Sequence, residues 1–434
     1  MARRRRRAPP PDSASPPGRG RRGERRARRQ HRRAPPMTLR LAILVMTACG
    51  VVSDAILIAF YPQFFAMRYG VTDPIHVGAY VAAISIAVML TLPLWARVAR
   101  HVETMHLVVL TQGIAGLLGL ASLGAETVAA YWAVTLLMFM TKSSYLLMFP
   151  YLMRVEPPDT HGATVGLLAV VVHLGGIFGA MAGGSLLQHL GPDACLLATA
   201  AGDFVQMALC IHLIRAGKIV GMLGADPPPS MTDARRPTLP RVLRLSALML
   251  VFDFSAYLVR PFFSVYWEAA TGIGSQTLTG LVFAIPGLMA LLVLSMDRRA
   301  RGDTASTALH LLLGTAGLML QAAPWPPAML IGRCLFGIAL FRVSVRLDVT
   351  LFRVSTPHAY ARDFSIANGF QNLGVLLSSF CAGVVVDRFG TAMPFLIAAA
   401  GLLLTAMLNH RLFRIDRFRT PRHRPPTCRT EHVT

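Results

Sequence analysis

Seven charged side chains interrupt stretches of the sequence that are otherwise apolar. They are Asp54, Lys142, Asp203, Asp253, Arg260, Arg333 and Arg342. A charge in the hydrocarbon of a membrane costs at least ~2.5–3.5 kcal/mol, so each needs a polar cavity or an oppositely charged partner. A carboxyl group in a dehydrated cavity favours its neutral form, and a nearby cation favours the ionised form. Acids in this setting can carry protons, and cations can bind anions.

Asp54 is the first candidate for a proton carrier, and Lys142 is the cation whose distance would change its affinity for the proton. Asp253 is a second candidate for the same site. The alternative for both acids is structural, because each precedes a proline by eight residues, at Pro62 and Pro261, and could brace a kinked helix.

The basic residues of this set leave two interpretations open. Lys142, Arg260 and Arg342 could bind an anionic substrate or serve as structural counter-ions. Arg342 could also form a gate or a solvated helix end. Arg333 is expected to extend its charge to the membrane surface. Asp203 is expected to make a polar contact between helices, outside the site.

The apolar stretches have the length of membrane spans. The chain has 434 residues, of which 54% are hydrophobic and 15% are charged. About twelve runs of roughly 18–24 residues can each cross ~30 Å of hydrocarbon as a helix. We predict spans 1 to 12 near residues 39–61, 76–96, 105–124, 128–150, 162–187, 194–214, 242–266, 276–296, 304–323, 328–351, 364–387 and 391–412.

The two halves of the chain repeat with a constant shift of 199 residues. Asp54-x7-Pro62-x-Phe64 in span 1 recurs as Asp253-x7-Pro261-x-Phe263 in span 7. The same shift relates the glycine pairs Gly175 and Gly374, Gly184 and Gly383, and Gly191 and Gly390. The repeat indicates two related six-helix units with a substrate site near the membrane midplane at their interface. The predicted fold is an all-α polytopic membrane protein of twelve transmembrane helices in two pseudo-symmetric six-helix bundles.

The polar segments divide this fold into domains. We expect a disordered basic tail at 1–37, bundles at 38–214 and 242–413, a cytoplasmic linker at 215–241 and a cytoplasmic tail at 414–434. Residues 1–36 contain fourteen arginines and two acids, and so supply +12 of the net charge of +22. A basic arm that binds nucleic acid is one interpretation; the favoured one is that translation starts at Met37, and no nucleic-acid partner is expected.

Loop charges predict the orientation in the membrane. Fourteen lysines and arginines lie in loops on one side, whereas the loops on the other side hold only Arg68 and Arg388. Positively charged loops stay in the cytoplasm. Both termini are therefore predicted to be cytoplasmic, in a cell membrane that for a bacterial protein is the inner membrane.

Span 5 carries glycines at fixed helical spacings. They are Gly166, Gly175, Gly179, Gly183 and Gly184. Small residues let helix backbones approach closely within a bilayer. The spacing resembles the fifth-helix motif of drug/proton antiporters of the major facilitator superfamily, with Ala180 where that motif has proline.

A second motif supports the same resemblance. The loop after span 8, which holds Asp297, Arg298 and Arg301, resembles the cytoplasmic gating motif of the superfamily, whereas the loop after span 2 lacks the aspartate. In the family, spans 1, 4, 7 and 10 line the central cavity. Six of the seven charged residues fall in those spans.

The resemblance implies a secondary active exporter that exchanges a small organic molecule for protons by alternating access. Residues 53–65 and 202–207 are also similar to exporters of carboxylate siderophores. No cofactor is expected beyond the proton gradient, and the protein is expected to be a monomer in the lipid bilayer with a substrate that could be anionic.

Other functions remain alternatives. An importer of an organic acid or another metabolite could use the same cavity, and a membrane scaffold could use the basic tail. A membrane enzyme is not expected, because the sequence has no HExxH, GxSxG or phosphate-cradling motif. The six cysteines have no metal-ligand spacing, so no metal site is expected.

Overall fold

The computed structural model describes residues 37–148, 151–152, 161–217, 239–299, 306–355 and 360–417. Within these ranges, the side chains of residues 37–38, 161–166, 169, 297–299, 352–353, 360–362 and 412–417 are not described. The predicted basic tail, most of the linker and most of the C-terminal tail lie outside the described residues. The domain boundaries therefore remain predictions.

Helices follow one another along the whole described part of the chain. Spans 1 to 6 are formed by Met37–Ile58 with Tyr61–Tyr69, Pro74–Val98, Thr104–Ala121, Val128–Lys142 with the 3₁₀ helix Ser143–Leu147, His161–Leu190 and Pro192–Arg215. Spans 7 to 12 are formed by Leu239–Tyr257 with Phe263–Thr271, Gln276–Arg299, Thr307–Ala322, Pro326–Val354, Tyr360–Phe389 and Met393–Arg417. Nine of the helices in the described ranges are long and apolar enough to cross a membrane. The predicted all-α polytopic fold is confirmed.

Spans 1 and 7 differ from their prediction in the same way. Each was expected as one helix, but each is two, with the first ending at Ile58 or Tyr257. These two end points are themselves 199 residues apart. A proline follows each of them within four residues, and proline removes a backbone donor and disfavours the helical conformation of the residue before it. Each break places the following side chains at a point where the helix has changed direction.

Helix packing repeats between the halves. Span 5 packs on span 1 and span 11 on span 7, and spans 3 and 6 pair as spans 9 and 12 do. The halves meet where span 5 packs on span 8 and span 11 packs on span 2. This arrangement confirms the pseudo-symmetry that the repeat in the sequence predicts.

Glycines make the closest of these contacts possible. A Cβ at Gly183 would collide with the carbonyl oxygen of Ile56 in span 1, and one at Gly374 would lie 2.5 Å from that of Leu250 in span 7. Between the halves, a Cβ at Gly184 would collide with the carbonyl oxygen of Gln276. The glycine spacing of span 5 therefore serves close helix packing, as expected.

Two further glycines turn the chain at equivalent points. Gly191 and Gly390 have φ of 84° and 85° and precede spans 6 and 12. This left-handed backbone region favours glycine, because a Cβ would meet steric hindrance there. The repeat therefore extends to the backbone conformation of the connections.

Candidate functional site: an ion cluster beside a cavity between the halves

Two cavities lie between the halves of the molecule. The larger has a volume of about 450 Å³ and is lined by spans 1, 4, 5, 7, 8 and 10. The smaller, of about 250 Å³, is lined by spans 1, 2, 4, 7 and 11. Residues that line both cavities are Asp54, Ile58, Tyr145, Leu146, Tyr257 and Arg260. The charged residues at the two helix breaks thus share one wall.

Three charged residues of the N-terminal half form a cluster at this wall, the ion cluster Asp54–Lys142–Asp203. Lys142 Nζ lies 2.8 Å from Asp54 Oδ1 and 2.6 Å from Asp203 Oδ1. The side chains of Lys142 and Asp203 are 2% and 0% exposed, whereas that of Asp54 is 31% exposed. Asp54 therefore lines both cavities, Lys142 lines only the smaller one, and Asp203 holds Lys142 from the buried side.

Span 4 positions Lys142 through a change of helix type. The α-helix ends at Lys142 and continues as the 3₁₀ helix Ser143–Leu147, which moves the next side chains to new faces. The carbonyl oxygen of Lys142 accepts a hydrogen bond from Gln112 Nε2 at 3.2 Å. Ser143 and Ser144 make hydroxyl contacts of 2.9 Å and 2.5 Å with threonines of spans 2 and 3. The segment is thus fixed to its neighbours at the point where it presents the ammonium group.

Tyr145, in the same 3₁₀ helix, completes the environment of Asp54. Its hydroxyl donates a hydrogen bond to Asp54 Oδ2 at 2.9 Å, while Lys142 contacts Oδ1. Both oxygens of Asp54 thus have partners from span 4. Any movement of span 4 relative to span 1 changes these contacts together, and this can alter proton affinity between two conformations.

Sequence reasoning assigned Asp203 to a contact outside the site, and the structure places it in the ion cluster instead. The prediction of an interhelical contact was correct, but the partner of Asp203 is Lys142. Spacing along span 6 gives no sign of which neighbouring helix the carboxylate faces. One feature of the sequence did point to this contact. Lys142 lies within a membrane span and needs a fully buried counter-charge, which Asp54 alone does not provide.

Arg260 is the charged residue that the C-terminal half contributes to the shared wall. Its guanidinium lies 4.0 Å from the centroid of the Tyr257 ring, at the break in span 7. Within the described part of the chain, no carboxylate lies within ion-pair distance of it. Asp253 lies within electrostatic reach of Arg260, and Gln371 lies near its carboxylate.

The expectation that Arg333 extends to the membrane surface was wrong. Arg333 is 2% exposed and lines the larger cavity. Its Nη2 donates to the carbonyl oxygen of Phe283 at 2.6 Å, and its Nε to that of Val282 at 3.3 Å. The guanidinium also lies 3.9 Å from the ring centroid of Phe263. Neutral carbonyls and an aromatic face compensate the loss of water and leave the positive charge in place.

Two of the predicted binding residues do not line either cavity in the described structure. Asp253 is 7% exposed and turns toward Gln371 of span 11. Arg342 also lies outside the cavity walls. The structure thus brings Asp54, Lys142 and Arg260 to the cavity walls, whereas Asp253 and Arg342 line neither cavity.

The predicted packing and gating residues have mixed outcomes. Gly175, Gly179 and Gly183 face span 1, and Gly184 faces span 8. The contacts of Gly166 and the side chains of Asp297 and Arg298 are not described, and Arg301 lies outside the described residues. Their roles remain predictions. The described residues contain no group of three or more His, Cys, Asp or Glu side chains that could hold a metal ion.

Comparison with known proteins adds sequence relatives from bacteria. The chain is 25% identical over 265 residues to the multidrug resistance protein MdtG of Klebsiella pneumoniae, covering 58% of this chain and 63% of the relative. It is 28% identical over 220 residues to the uncharacterized MFS-type transporter STM4428 of Salmonella typhimurium, covering 48% and 54%. The chain thus matches less than two thirds of the length of either relative. No protein-family model matches the chain.

Structural similarity covers more of the molecule. A crystal structure of the nucleoside transporter NupG matches with a TM-score of 0.69 at 13% identity, covering 86% of this chain and all of that one. At this identity the match shows the fold alone. These relatives and neighbours are transporters, in agreement with the prediction that the chain is not an enzyme. The chain therefore has the fold of the major facilitator transporters and is similar in sequence to an MFS-type transporter.

Proposed function

We propose that the protein is a secondary active transporter that exports a small organic molecule in exchange for protons by alternating access. The observation that carries the proposal is the ion cluster, in which a partly exposed acid at the cavity wall shares a buried lysine with a second, fully buried acid. Two bundles around a midplane cavity provide the geometry for alternating access.

Asp54 is the proton carrier in this proposal. When Asp54 is ionised, Lys142 and Tyr145 bind its two oxygens. When Asp54 is protonated, Lys142 keeps its contact with Asp203 and so does not become an unpaired buried charge. The free energy of protonating Asp54 is therefore kept small enough to be driven by a proton gradient. Asp203 acts as the positioning residue for Lys142.

In the described structure, hydrogen bonds between the halves lie at the end of the molecule predicted to face outside. The Ser264 hydroxyl lies 2.7 Å from the carbonyl oxygen of Ala59 and 2.9 Å from Gln63 Oε1. Gln188 Oε1 accepts hydrogen bonds from Ser275 and from the backbone of Thr277. With the predicted orientation, these contacts close the outward path and must break when the site opens outward.

The direction of transport rests on similarity. The glycine-rich span 5 resembles that of drug/proton antiporters, and one relative is named a multidrug resistance protein. A drug-like compound or a carboxylate siderophore is therefore the proposed kind of cargo, and the inner membrane is the proposed location.

Transport in proteoliposomes tests the proposal. The probes are ethidium and a set of naphthalene derivatives that carry a negative charge, a positive charge or both. An acidic interior should drive uphill uptake of at least one probe, and a protonophore should abolish it. Asp54→Asn should remove the gradient-driven uptake, because the amide cannot carry a proton.

The matched control is Glu268→Gln, which neutralises an exposed acid on span 7, and it should retain uptake. Uphill uptake by Asp54→Asn at the parent rate would exclude Asp54 as the coupling group. Uptake driven only by an acidic exterior would identify symport and favour the importer alternative.

A further inference from the structure

The two sides of the cavity wall carry opposite charge. On the N-terminal side, the ion cluster has two carboxylates for one ammonium group, a net charge of −1 when all three are ionised. Asp54 brings that charge to the cavity surface. On the C-terminal side, Arg260 reaches the same wall, and Arg333 adds a second positive charge to the larger cavity.

Lys142 is unsuited to hold an anionic substrate. Both acids lie within 2.8 Å of its ammonium group, and its side chain is 2% exposed. An anion approaching it would meet the surplus negative charge of the cluster. Arg260 has neither obstacle, because its guanidinium stacks on Tyr257 and has no carboxylate at ion-pair distance in the described structure. A cation bound over an aromatic face still has N–H groups at its edge for a carboxylate.

Most of the remaining wall of the larger cavity is apolar or aromatic, with Thr47 and His173 as polar exceptions. Ile177, Phe283, Phe336, Leu340 and Phe341 line it. Its volume of about 450 Å³ falls within the range of small-molecule sites. The cavity therefore offers an apolar surface beside one acidic group, Asp54, and two basic groups, Arg260 and Arg333.

We propose that the substrate is a zwitterionic amphiphile. Its cationic group binds Asp54, its carboxylate or other acidic group binds Arg260, and its apolar body lies against the aromatic wall. This inference rests on the proposed function and explains the exchange. A substrate cation and a proton compete for Asp54, so the binding of one releases the other.

A matched set of three probes tests the charge requirement. 2-Naphthylalanine carries both charges, 3-(2-naphthyl)propionate lacks the ammonium group, and 2-(2-naphthyl)ethylamine lacks the carboxylate. Binding is measured at neutral pH by calorimetry and by ligand-induced thermal shift on purified full-length protein, without a gradient. The parent should bind the zwitterion at least about tenfold more tightly than either singly charged probe, as each charge-assisted hydrogen bond contributes.

Variants separate the two ends of the site. Arg260→Gln should lower the affinity for the zwitterion and for the propionate about tenfold or more and leave the affinity for the amine unchanged. Arg260→Lys should recover part of the lost affinity. Asp54→Asn should lower the affinity for the zwitterion and for the amine and leave the affinity for the propionate unchanged. Arg244→Gln, on the exposed part of span 7, is the matched control and should bind all three as the parent does.

Three results would overturn the inference. In the first, the parent protein fails to bind the zwitterion. In the second, it binds either singly charged probe as tightly as the zwitterion. In the third, Arg260→Gln lowers the affinity for all three probes equally. These outcomes differ from failure of the proposed function. Charge selectivity is measured at equilibrium without a gradient, so a parent protein that binds with this selectivity but takes up no probe against a gradient would contradict the proposed function and leave the inference standing.

Discussion

The two halves of this molecule share their helix packing and differ in chemistry. A shift of 199 residues places Phe341 and Leu402 of the C-terminal half at the positions of Lys142 and Asp203. The buried ion pair of one half is thus an apolar pair in the other. Conversely, Arg260 occupies the position of Tyr61, which is 5% exposed in an aromatic cluster.

This difference indicates a division of labour. Helix packing and glycine turns repeat because each half needs the same frame to move against the other. Asp54 and Asp253 repeat, but Lys142, Asp203 and Arg260 have no charged equivalents in the other half, because a proton carrier and a substrate anchor need different environments. The proposed proton carrier therefore lies in the N-terminal half, and the basic part of the substrate site lies in the C-terminal half.

The largest effect is expected from removing Lys142, a charge that the C-terminal half lacks at the equivalent position. Lys142→Met should lower the free energy of unfolding by about 3–5 kcal/mol, because it leaves two acids facing each other with no cation. The double variant Lys142→Met with Asp203→Leu should recover most of this loss, since it gives the N-terminal half an apolar pair as in the C-terminal half. Thermal unfolding in detergent measures both.

The double variant also separates stability from coupling. It should be folded and inserted, yet it should show no gradient-driven uptake, because Asp54 has lost the cation that controls its proton affinity. The interpretation is that the helix bundle tolerates apolar residues at these positions and that the ion cluster serves function. A double variant as unstable as Lys142→Met alone would contradict it.

An intermediate effect is expected at the equivalent glycines of spans 5 and 11. Gly374→Ala should destabilise by about 1–3 kcal/mol, because its Cβ would lie 2.5 Å from the backbone carbonyl of Leu250. Gly175→Ala should cost less, because the atoms nearest to its Cβ are Cγ1 and Cβ of Val51, at 2.8 and 2.9 Å, and its nearest backbone atom is 3.5 Å away. Gly176→Ala, with no atom within 4 Å of the added Cβ, is the control. Equal melting temperatures for the Gly374 and Gly175 variants would argue against this difference between the halves.

The smallest effect is expected at the contacts between the halves. Gln188→Ala removes exposed hydrogen bonds to Ser275 and Thr277 and should change stability by less than about 1 kcal/mol. Ser264→Ala, at a buried contact, should have the larger effect of the two. Cysteine accessibility from the outside should rise in both variants if these contacts hold the outward path closed; unchanged accessibility would assign that role to helix packing alone.

Sequence patterns predicted the helical scaffold well. The all-α fold, the repeat and the packing role of the glycines of span 5 followed from apolar length and spacing, which are local properties of a chain in a membrane. The breaks in spans 1 and 7 were missed, although Pro62 and Pro261 pointed to kinks. The chemistry was predicted less completely, since Asp203 was left out of the site and Arg333 was placed at the membrane surface.

By itself, the sequence determined which charges enter the membrane and which helices carry them, because hydrocarbon penalises each one regardless of its neighbours. Only the tertiary structure decided which charges meet. Lys142 pairs with acids 88 residues before it and 61 residues after it, and Arg333 finds its partners in the backbone of another helix. Such contacts depend on the rotation and depth of whole helices, which are set by packing across the bundle, and spacing along one helix does not encode them.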